Sequence, residues 1–171
     1  MDSRRTAPAA DLDAGATPDA VVGIISDTHG VLDPRVAQVF SGVDRILHAG
    51  DIGSVAVMLE LETIAPVSAV LGNTDREIPG YALPLTAKIE IASVVFAMAH
   101  KPKQLEKSGL LLGADIAING HTHAPSIDLR DGILHVNPGT ASSGRVSGER
   151  STVAVVEVRR GLVSARIIEL A

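Results

Sequence analysis

Short apolar runs, rich in β-branched residues, recur along the first half of the chain and are separated by polar segments. Such runs are typical of strands buried in a parallel or mixed sheet, and they predict strands at 21–25, 45–48 and 67–71. Asp33-Pro34 predicts the start of a helix that ends near Phe40. Ser54 predicts the N-cap of a second helix, which ends near Thr63. These units predict a βαβ arrangement, in which functional groups gather at one edge of the sheet.

The second half of the chain predicts a sheet of its own. Its apolar runs indicate strands at 87–92, 94–99, 116–118, 126–129, 133–136, 152–158 and 162–168. One helix, at about 103–112, is expected between the second and third of these strands. Asp131-Gly132 fits the two central positions of a type I′ hairpin turn.

Composition favours a Val/Ile-rich sheet covered by helices. The chain has 171 residues, enough for one domain, and is 46% hydrophobic with only Phe40, Phe96 and Tyr81 as aromatic residues. So few aromatic rings disfavour an aromatic-packed sandwich or a nucleic-acid stacking platform, and the net charge of −5 also disfavours a stable nucleic-acid partner. The absence of Cys excludes disulfides and thiolate zinc sites.

The first 19 residues differ from the rest of the chain. They are rich in Ala, Asp, Pro, Thr and Gly without periodicity, which predicts a disordered tail at 1–19 before a single domain at 20–171. Arg4-Arg5 is not followed by a hydrophobic stretch, and no apolar run has the length needed to span a bilayer. We therefore expect a cytoplasmic protein without a membrane partner.

Side chains that can bind metals follow five of the predicted strands. They are Asp27 with His29, Asp51, Asn73, His100, and His121 with His123. If the chain stays extended after the first strand, the two-residue period places Asp27 and His29 on the same side, before a turn at Gly30. Seven ligands are too many for one tetrahedral ion and suit two ions that share a bridge. An Asp/Asn/His set favours Mn, Fe, Zn or Co.

In order and spacing, these segments resemble the motifs of the calcineurin-like metallophosphoesterases. The matching segments are Asp27-x-His29, Gly50-Asp51, Gly72-Asn73, His100, Gly120-His121-x-His123 and the turn Asn137-Pro138-Gly139-Thr140. The chain is most similar to the small bacterial and archaeal phosphodiesterase branch, because it lacks inserted domains. The resemblance implies an α/β fold of two facing mixed β-sheets flanked by helices, with the metal site at their shared carboxyl edge.

The resemblance also implies roles for the matching residues. Asp27, His29 and His123 would hold the first ion, and Asn73, His100 and His121 the second, with Asp51 bridging. Asn73, Asp51 and His29 would be the catalytic residues, and Asn73 would also contact the phosphate. The implied activity is hydrolysis of a small phosphoester, with a diester favoured over a monoester, by a hydroxide that bridges two divalent ions. Manganese is the favoured metal, and iron, zinc, cobalt and nickel are alternatives.

Two positions depart from the pattern of the family. Thr74 follows Gly-Asn where the larger enzymes of the superfamily have a His that helps to protonate the leaving group. Lys101-Pro102 follows His100 where the small branch usually has Gly-His. The first departure leaves the general acid open. The second places bulk and charge beside His100, at Lys101, and removes a second imidazole, at Pro102.

Other polar residues have a structural interpretation. We expect His48 and His135 to be structural histidines and Asp75 to stabilise its loop. Lys101 and Arg145 are candidate contacts for the substrate phosphate, and Arg150 lies in or beside the same loop as Arg145. A solvated loop is the favoured explanation for the two arginines, and an exposed helix start is an alternative for Lys101.

A second class of function remains open at this point. A retromer subunit of this fold is known for binding protein partners, so the chain is also compatible with a metal-binding scaffold that has little or no activity. Every expected ligand position is filled here, which favours catalysis, whereas Lys101-Pro102 favours the scaffold. Ser26 is not a hydrolase nucleophile, because it lacks the Gly-x-Ser-x-Gly elbow. The sequence is also compatible with a homo-oligomer.

Overall fold

A computed structural model describes residues 17–142 and 150–171. It has three helices and ten strands in these ranges: β1 Ala20–Ile25, α1 Arg35–Val39, β2 Arg45–His48, α2 Val55–Glu62, β3 Val67–Ala69, β4 Thr86–Ile91, β5 Val94–Ala99, α3 Pro102–Lys107, β6 Ile116–Ile118, β7 Ser126–Arg130, β8 Ile133–Asn137, β9 Thr152–Arg159 and β10 Leu162–Glu169. The ten predicted strands are confirmed. Most of the expected disordered tail, and Arg145, lie outside the described residues.

The third helix is shorter than the apolar pattern predicts. It begins at Pro102, in the first turn, and ends at Lys107 instead of near residue 112. Ser108 closes it, because the Ser108 hydroxyl donates to the carbonyl of Leu105 at 2.7 Å and Gly109 follows with a φ of 75°. The run 110–112 therefore lies in a turn rather than in the helix.

The strands form two mixed sheets of five, as the resemblance implies. The first has the order β10-β9-β1-β2-β3, with β1, β2 and β3 parallel and β9 antiparallel to β1. The second has the order β4-β5-β6-β8-β7, with β5, β6 and β8 parallel and an antiparallel strand at each edge. Parallel strands end at the same edge of a sheet, so the loops after β1, β2, β5 and β6 gather in one region.

Buried side chains from both sheets form the core between them. Val22 and Ile24 of the first sheet pack with Phe96, Met98 and Ile118 of the second. The helices α1 and α2 cover the other face of the first sheet, and α3 covers the other face of the second. Among the described residues, no helix is both long and apolar enough to cross a membrane.

Three hairpins turn on two residues that both have positive φ. They are Ala92-Ser93, Asp131-Gly132 and Arg160-Gly161, and they join β4 to β5, β7 to β8 and β9 to β10. This backbone suits the type I′ turn predicted at Asp131-Gly132, and Asn is preferred at its first position. The left-handed conformation is unfavourable for Ala92 (φ 48°), because its Cβ crowds the following carbonyl.

We expect Ala92→Asn to raise the free energy of unfolding by about 0.5–1 kcal/mol, because Asn tolerates the left-handed conformation better than Ala. Gly132→Ala is the matched control, since it places a Cβ at a positive φ of 79° in the equivalent turn, and it should lower stability by about 1 kcal/mol. Guanidinium unfolding of the metal-free protein measures both changes. A destabilised Ala92→Asn variant would contradict the turn assignment.

Candidate metal centre

The loops that follow the parallel strands bring most of the predicted ligands together. Asp27 and His29 follow β1, Asp51 follows β2, His100 follows β5, and His121 with His123 follows β6. Each of the two groups of potential ligands described below combines residues from both sheets. The centre therefore lies where the two sheets meet.

Left-handed backbone marks this region. Among the described residues, nine residues other than glycine have positive φ, and four of them lie in the hairpin turns. The other five are all predicted ligands: Asp27, His29, Asp51, His121 and His123, with φ between 48° and 71°. Residues held in such conformations concentrate at functional sites, where the surrounding structure compensates for the strain.

The expectation of an extended chain after β1 is wrong. The strand ends at Ile25, and Asp27 has a φ of 55°. The turn forms because the N–H groups of Asp27 and His29 donate to the carbonyls of Gly50 and Asp51 in the neighbouring loop, at 3.0 and 2.9 Å. The two side chains nevertheless converge, with His29 Nε2 3.8 Å from Asp27 Oδ1.

The first group of potential ligands comprises Asp27, His29 and His123. Nε2 of His123 lies 3.2 Å from Asp27 Oδ1 and 3.5 Å from Nε2 of His29. The two imidazoles therefore direct one nitrogen each towards the same carboxylate oxygen. This arrangement of two imidazole nitrogens and one carboxylate oxygen suits a divalent transition metal.

The second group comprises Asp27, Asp51 and His100. Nε2 of His100 lies 3.3 Å from Asp51 Oδ2 and 3.9 Å from Asp27 Oδ1. Nδ1 of the same ring is 2.7 Å from the carbonyl oxygen of Ala49, which can only accept a hydrogen bond. Nδ1 must therefore carry the proton, which leaves Nε2 of the neutral ring with a free lone pair towards the centre. The ring of His121 lies beside it, at 5.2 Å between centroids.

Two buried polar atoms at the centre have no hydrogen-bond partner within the described part of the chain. They are Asp27 Oδ1 and His100 Nε2, and both residues are almost completely buried. A buried carboxylate oxygen without a partner is costly, and a bound cation would satisfy it. The residues present therefore fit a metal centre, and Asp27 Oδ1 is common to both groups of ligands.

The electrostatics also suit a cation. Burial alone would raise the pKa of Asp51, but the imidazole of His100, with Nε2 3.3 Å from Asp51 Oδ2, and the N–H of Thr74, 2.9 Å from Asp51 Oδ1, hold that pKa well below its usual range. Burial would lower the pKa of His100, but Asp51, the Ala49 carbonyl and Asp27 together raise it. The pKa of His121 is lowered, by burial first and then by His100 and Lys101.

Asp75 has the predicted loop-stabilising role. Its Oδ1 accepts the N–H of Gly53 at 2.9 Å, and its Oδ2 accepts the N–H groups of Ile52 and Gly72 at 3.1 and 2.8 Å. The carboxylate thus joins the loop that follows Asp51 to the loop that contains Asn73.

His48 is a buried, hydrogen-bonded histidine, as predicted. Its Nδ1 accepts the N–H of Gly50 at 3.2 Å, so Nε2 carries the proton and donates to Thr28 Oγ1 at 3.0 Å. The Thr28 hydroxyl in turn donates to the carbonyl of Ile52 at 3.0 Å. Burial is the main reason why the pKa of His48 falls to about 3. His135 lies apart, on β8, in a cleft beside α3.

Three residues outside the predicted ligand set hold the ligand loops through hydrogen bonds. The hydroxyl of Ser26 donates to Asp27 Oδ2 at 2.6 Å, and the hydroxyl of Thr140 donates to the carbonyl of Asp27 at 2.9 Å. Asn137 Nδ2 donates to the carbonyl of Gly120 at 3.1 Å and to Thr122 Oγ1 at 2.9 Å. Asn137 and Thr140 belong to the segment 137–140, which resembles a turn of the family, so the sequence contains a signal for them. Ser26 lies outside the family motifs, directly before Asp27.

The remaining predicted residues lie at the margin. Asn73 is exposed in the loop that follows β3, next to Thr74. Lys101 is exposed and occupies the N-cap of α3, with its carbonyl accepting the N–H groups of Gln104 and Leu105. Arg150 pairs with Glu169 at 3.0 Å on the surface, so in this structure it is engaged elsewhere.

Sequence comparison identifies relatives along most of the chain. The calcineurin-like phosphoesterase superfamily domain matches residues 21–161. A probable metallophosphoesterase from Methanothermobacter thermautotrophicus is 36% identical over 160 residues, which cover 86% of this chain and 91% of the relative.

Solved structures with the same fold include proteins of two kinds. A single-residue variant of Vps29 from Entamoeba histolytica aligns with a TM-score of 0.68 and 22% identity, over 87% of this chain and 98% of that chain. An archaeal phosphodiesterase aligns with a TM-score of 0.66 and 26% identity, over 86% of this chain and 99% of that chain. The matched domain, the close relative and the shared fold agree, and the chain belongs to the calcineurin-like phosphoesterase superfamily.

Proposed function

We propose that this member of the superfamily is a dinuclear metal-dependent phosphodiesterase. One observation carries the proposal: Asp27 Oδ1 is buried without a hydrogen-bond partner among the described residues, and Nε2 atoms of His29, His100 and His123 lie within 3.2–3.9 Å of it. A single carboxylate oxygen surrounded by three imidazole nitrogens is an arrangement for binding cations rather than for stabilising a core.

In this proposal the two groups of ligands hold one ion each. Asp27, His29 and His123 would hold the first ion, and Asn73, His100 and His121 the second, with Asp51 shared between them. Asp27 Oδ1 also lies 3.9 Å from Nε2 of His100, so it would face the second ion as well. When bound, the ions supply an activated water nucleophile and stabilise charge on the phosphoryl oxygens. Manganese is the favoured metal, with iron, zinc, cobalt and nickel as alternatives.

The chain's own residues would position the substrate. Asn73 is exposed at the edge of the centre, where its carboxamide can contact a phosphoryl oxygen. Lys101 is exposed too, and it lies close enough to His121 to lower the pKa of that ring, so it is a candidate partner for the negative charge of the substrate.

The preference for aryl diesters rests on charge and on the general acid. A diester brings less negative charge than a monoester to an edge that carries Asp75, and no residue there is a ready general acid. Thr74 replaces the imidazole of the larger enzymes, and Asp75 has both carboxylate oxygens occupied by backbone N–H groups, so neither residue offers a ready proton. Esters whose leaving group departs as a stable anion need no such proton. The archaeal phosphodiesterase, 26% identical to this chain, supports the same substrate class.

The alternative proposal is a metal-binding scaffold with little or no activity. Its specific support is Lys101-Pro102, because Pro102 starts α3 where the small branch usually has a further imidazole. Binding of two ions without hydrolysis of any ester in a broad panel would favour this alternative over the phosphodiesterase.

We expect the full chain to bind two divalent ions per molecule, and to lose activity on chelation and regain it with Mn²⁺. The reason is that the two ligand groups contain separate imidazoles around one shared carboxylate. Isothermal titration of metal-free protein, together with elemental analysis of the loaded protein, measures the stoichiometry. One ion or none under saturating metal would refute the dinuclear centre.

We expect Asp51→Ala to reduce kcat/KM by at least about a hundredfold, because it removes a direct ligand, whereas loss of an outer hydrogen bond costs about 10–100-fold. His48→Gln is the control, because the partners of His48, Thr28 and Gly50, are not ligands. Gln can still donate to Thr28 and loses only the acceptor for Gly50, so the loss should stay below the range of about 10–100-fold for a group bonded to a ligand. Steady-state kinetics at saturating Mn²⁺ tests both. Equal losses would mean that His48 acts at the centre itself.

We expect aryl phosphodiesters to be hydrolysed faster than alkyl phosphomonoesters, with a steep dependence of the rate on leaving-group pKa. General acid catalysis is typically worth about 10²–10⁴-fold, and poor leaving groups suffer most without it. Thr74→His should flatten that dependence, and Thr74→Val controls for loss of the hydroxyl alone. Fastest turnover of alkyl monoesters by the unmodified protein would show that another residue supplies the proton.

A further inference from the structure

We infer that Ser26 is a positioning residue that orients the Asp27 carboxylate, so that one of its oxygens serves both metal-binding groups. The inference rests on the proposed function, because it assigns a role towards the same ions. Ser26 is fully buried, at the end of β1, and its hydroxyl donates to Asp27 Oδ2 at 2.6 Å. Its shortest contact with the centre is this hydrogen bond to Asp27.

The two carboxylate oxygens of Asp27 differ in their hydrogen bonds. Oδ2 accepts the Ser26 hydroxyl and also the N–H of His121, at 3.1 Å. Oδ1 has no hydrogen-bond partner in the described ranges and lies 3.2 Å from Nε2 of His123. The protein therefore binds one oxygen itself and leaves the other for a cation.

This division requires a specific donor, because the terminal torsion of an Asp side chain is broad and only loosely fixed by its own geometry. The Ser26 hydroxyl has one proton and three acceptors nearby. The carbonyls of Ala49 and Gly50 are 3.4 Å away, whereas Asp27 Oδ2 is 2.6 Å away. The short distance is typical of a hydroxyl that donates to a carboxylate. The Ser26 hydroxyl therefore donates to Asp27 Oδ2 and not to either carbonyl.

The opposite sheet holds this pair in place. A Cβ atom at Gly120 would collide with the Ser26 hydroxyl and come within 2.6 Å of Asp27 Oδ2. Gly120 precedes His121, so the loop that carries two of the ligands packs directly on the Ser26–Asp27 hydrogen bond. The hydrogen bond from Ser26 to Asp27 therefore requires a residue without a side chain at position 120.

The test is metal binding by the full chain with Ser26→Ala. Isothermal titration of metal-free protein with Mn²⁺ should show weaker binding at both steps, by about 10–100-fold, because the Asp27 carboxylate, which Ser26→Ala leaves less well oriented, belongs to both groups. The matched control is Ser142→Ala, another buried serine whose hydroxyl has no partner within the described part of the chain. Its dissociation constants should match those of the unmodified protein.

Two further measurements separate positioning from folding. First, excess Mn²⁺ should restore most of the kcat of Ser26→Ala. Second, the variant Ser26→Thr keeps a hydroxyl, so it should bind Mn²⁺ more tightly than Ser26→Ala. If Ser26→Ala fails to fold by circular dichroism, Ser26→Thr is compared with the unmodified protein. Unchanged affinity in Ser26→Ala would overturn the inference, as would a folded Ser26→Thr that binds no better than the Ala variant.

The two proposals fail differently. An unmodified protein that binds Mn²⁺ at neither group would overturn the proposed function and this inference together. An unmodified protein that binds two ions, beside a Ser26→Ala variant of equal affinity, would overturn only the role of Ser26. A single bound ion still tests Ser26, because Asp27 belongs to both groups.

Discussion

The structure depends on the buried carboxylate of Asp27. A carboxylate in a low-dielectric interior is tolerated only with compensating partners, and this one has them on a single oxygen. The other oxygen faces the imidazoles of His29, His100 and His123. These rings come from both sheets. Compensation of the one negative charge therefore links the first loop of the chain with much later loops. For example, the N–H of His121, which donates to Asp27, lies 94 residues further along the chain.

Strain in the ligand loops is balanced by hydrogen bonds behind them. Left-handed backbone costs about 1–2 kcal/mol for each ordinary residue, and five predicted ligands adopt it. Asp75 joins two of these loops through three backbone N–H groups, His48 and Thr28 join the first two loops, and Thr140 holds the carbonyl of Asp27. Each such bond contributes about 0.5–1.5 kcal/mol, so several are needed to hold the ligands in strained but defined positions.

Sequence periodicity predicted the strands because buried strands leave a local signature of apolar, β-branched residues. It placed the end of α3 too late, since the apolar run at 110–112 continues the pattern past Ser108, where a hydroxyl ends the helix. The predicted ligands could be found because they directly follow strands. Their left-handed backbone could not be read locally, because it depends on contacts made after folding. The N–H of Asp27 donates to the carbonyl of Gly50 in the next loop, and Thr140, which holds the carbonyl of Asp27, is 113 residues away.

Fold alone does not decide between an enzyme and a scaffold, because one architecture can carry different functions. The difference must lie where the sheets meet rather than in their cores. In this chain two glycines let the loops of that region pack closely against each other. A Cβ at Gly72 would collide with Asp51, and a Cβ at Gly120 would collide with Ser26. Each ligand group takes residues from both sheets, so a bound ion would also hold the sheets together. A protein that bound no cation could fill this region with apolar side chains, whereas the buried Asp27 Oδ1 and His100 Nε2, which have no hydrogen-bond partner within the described part of the chain, fit a bound cation.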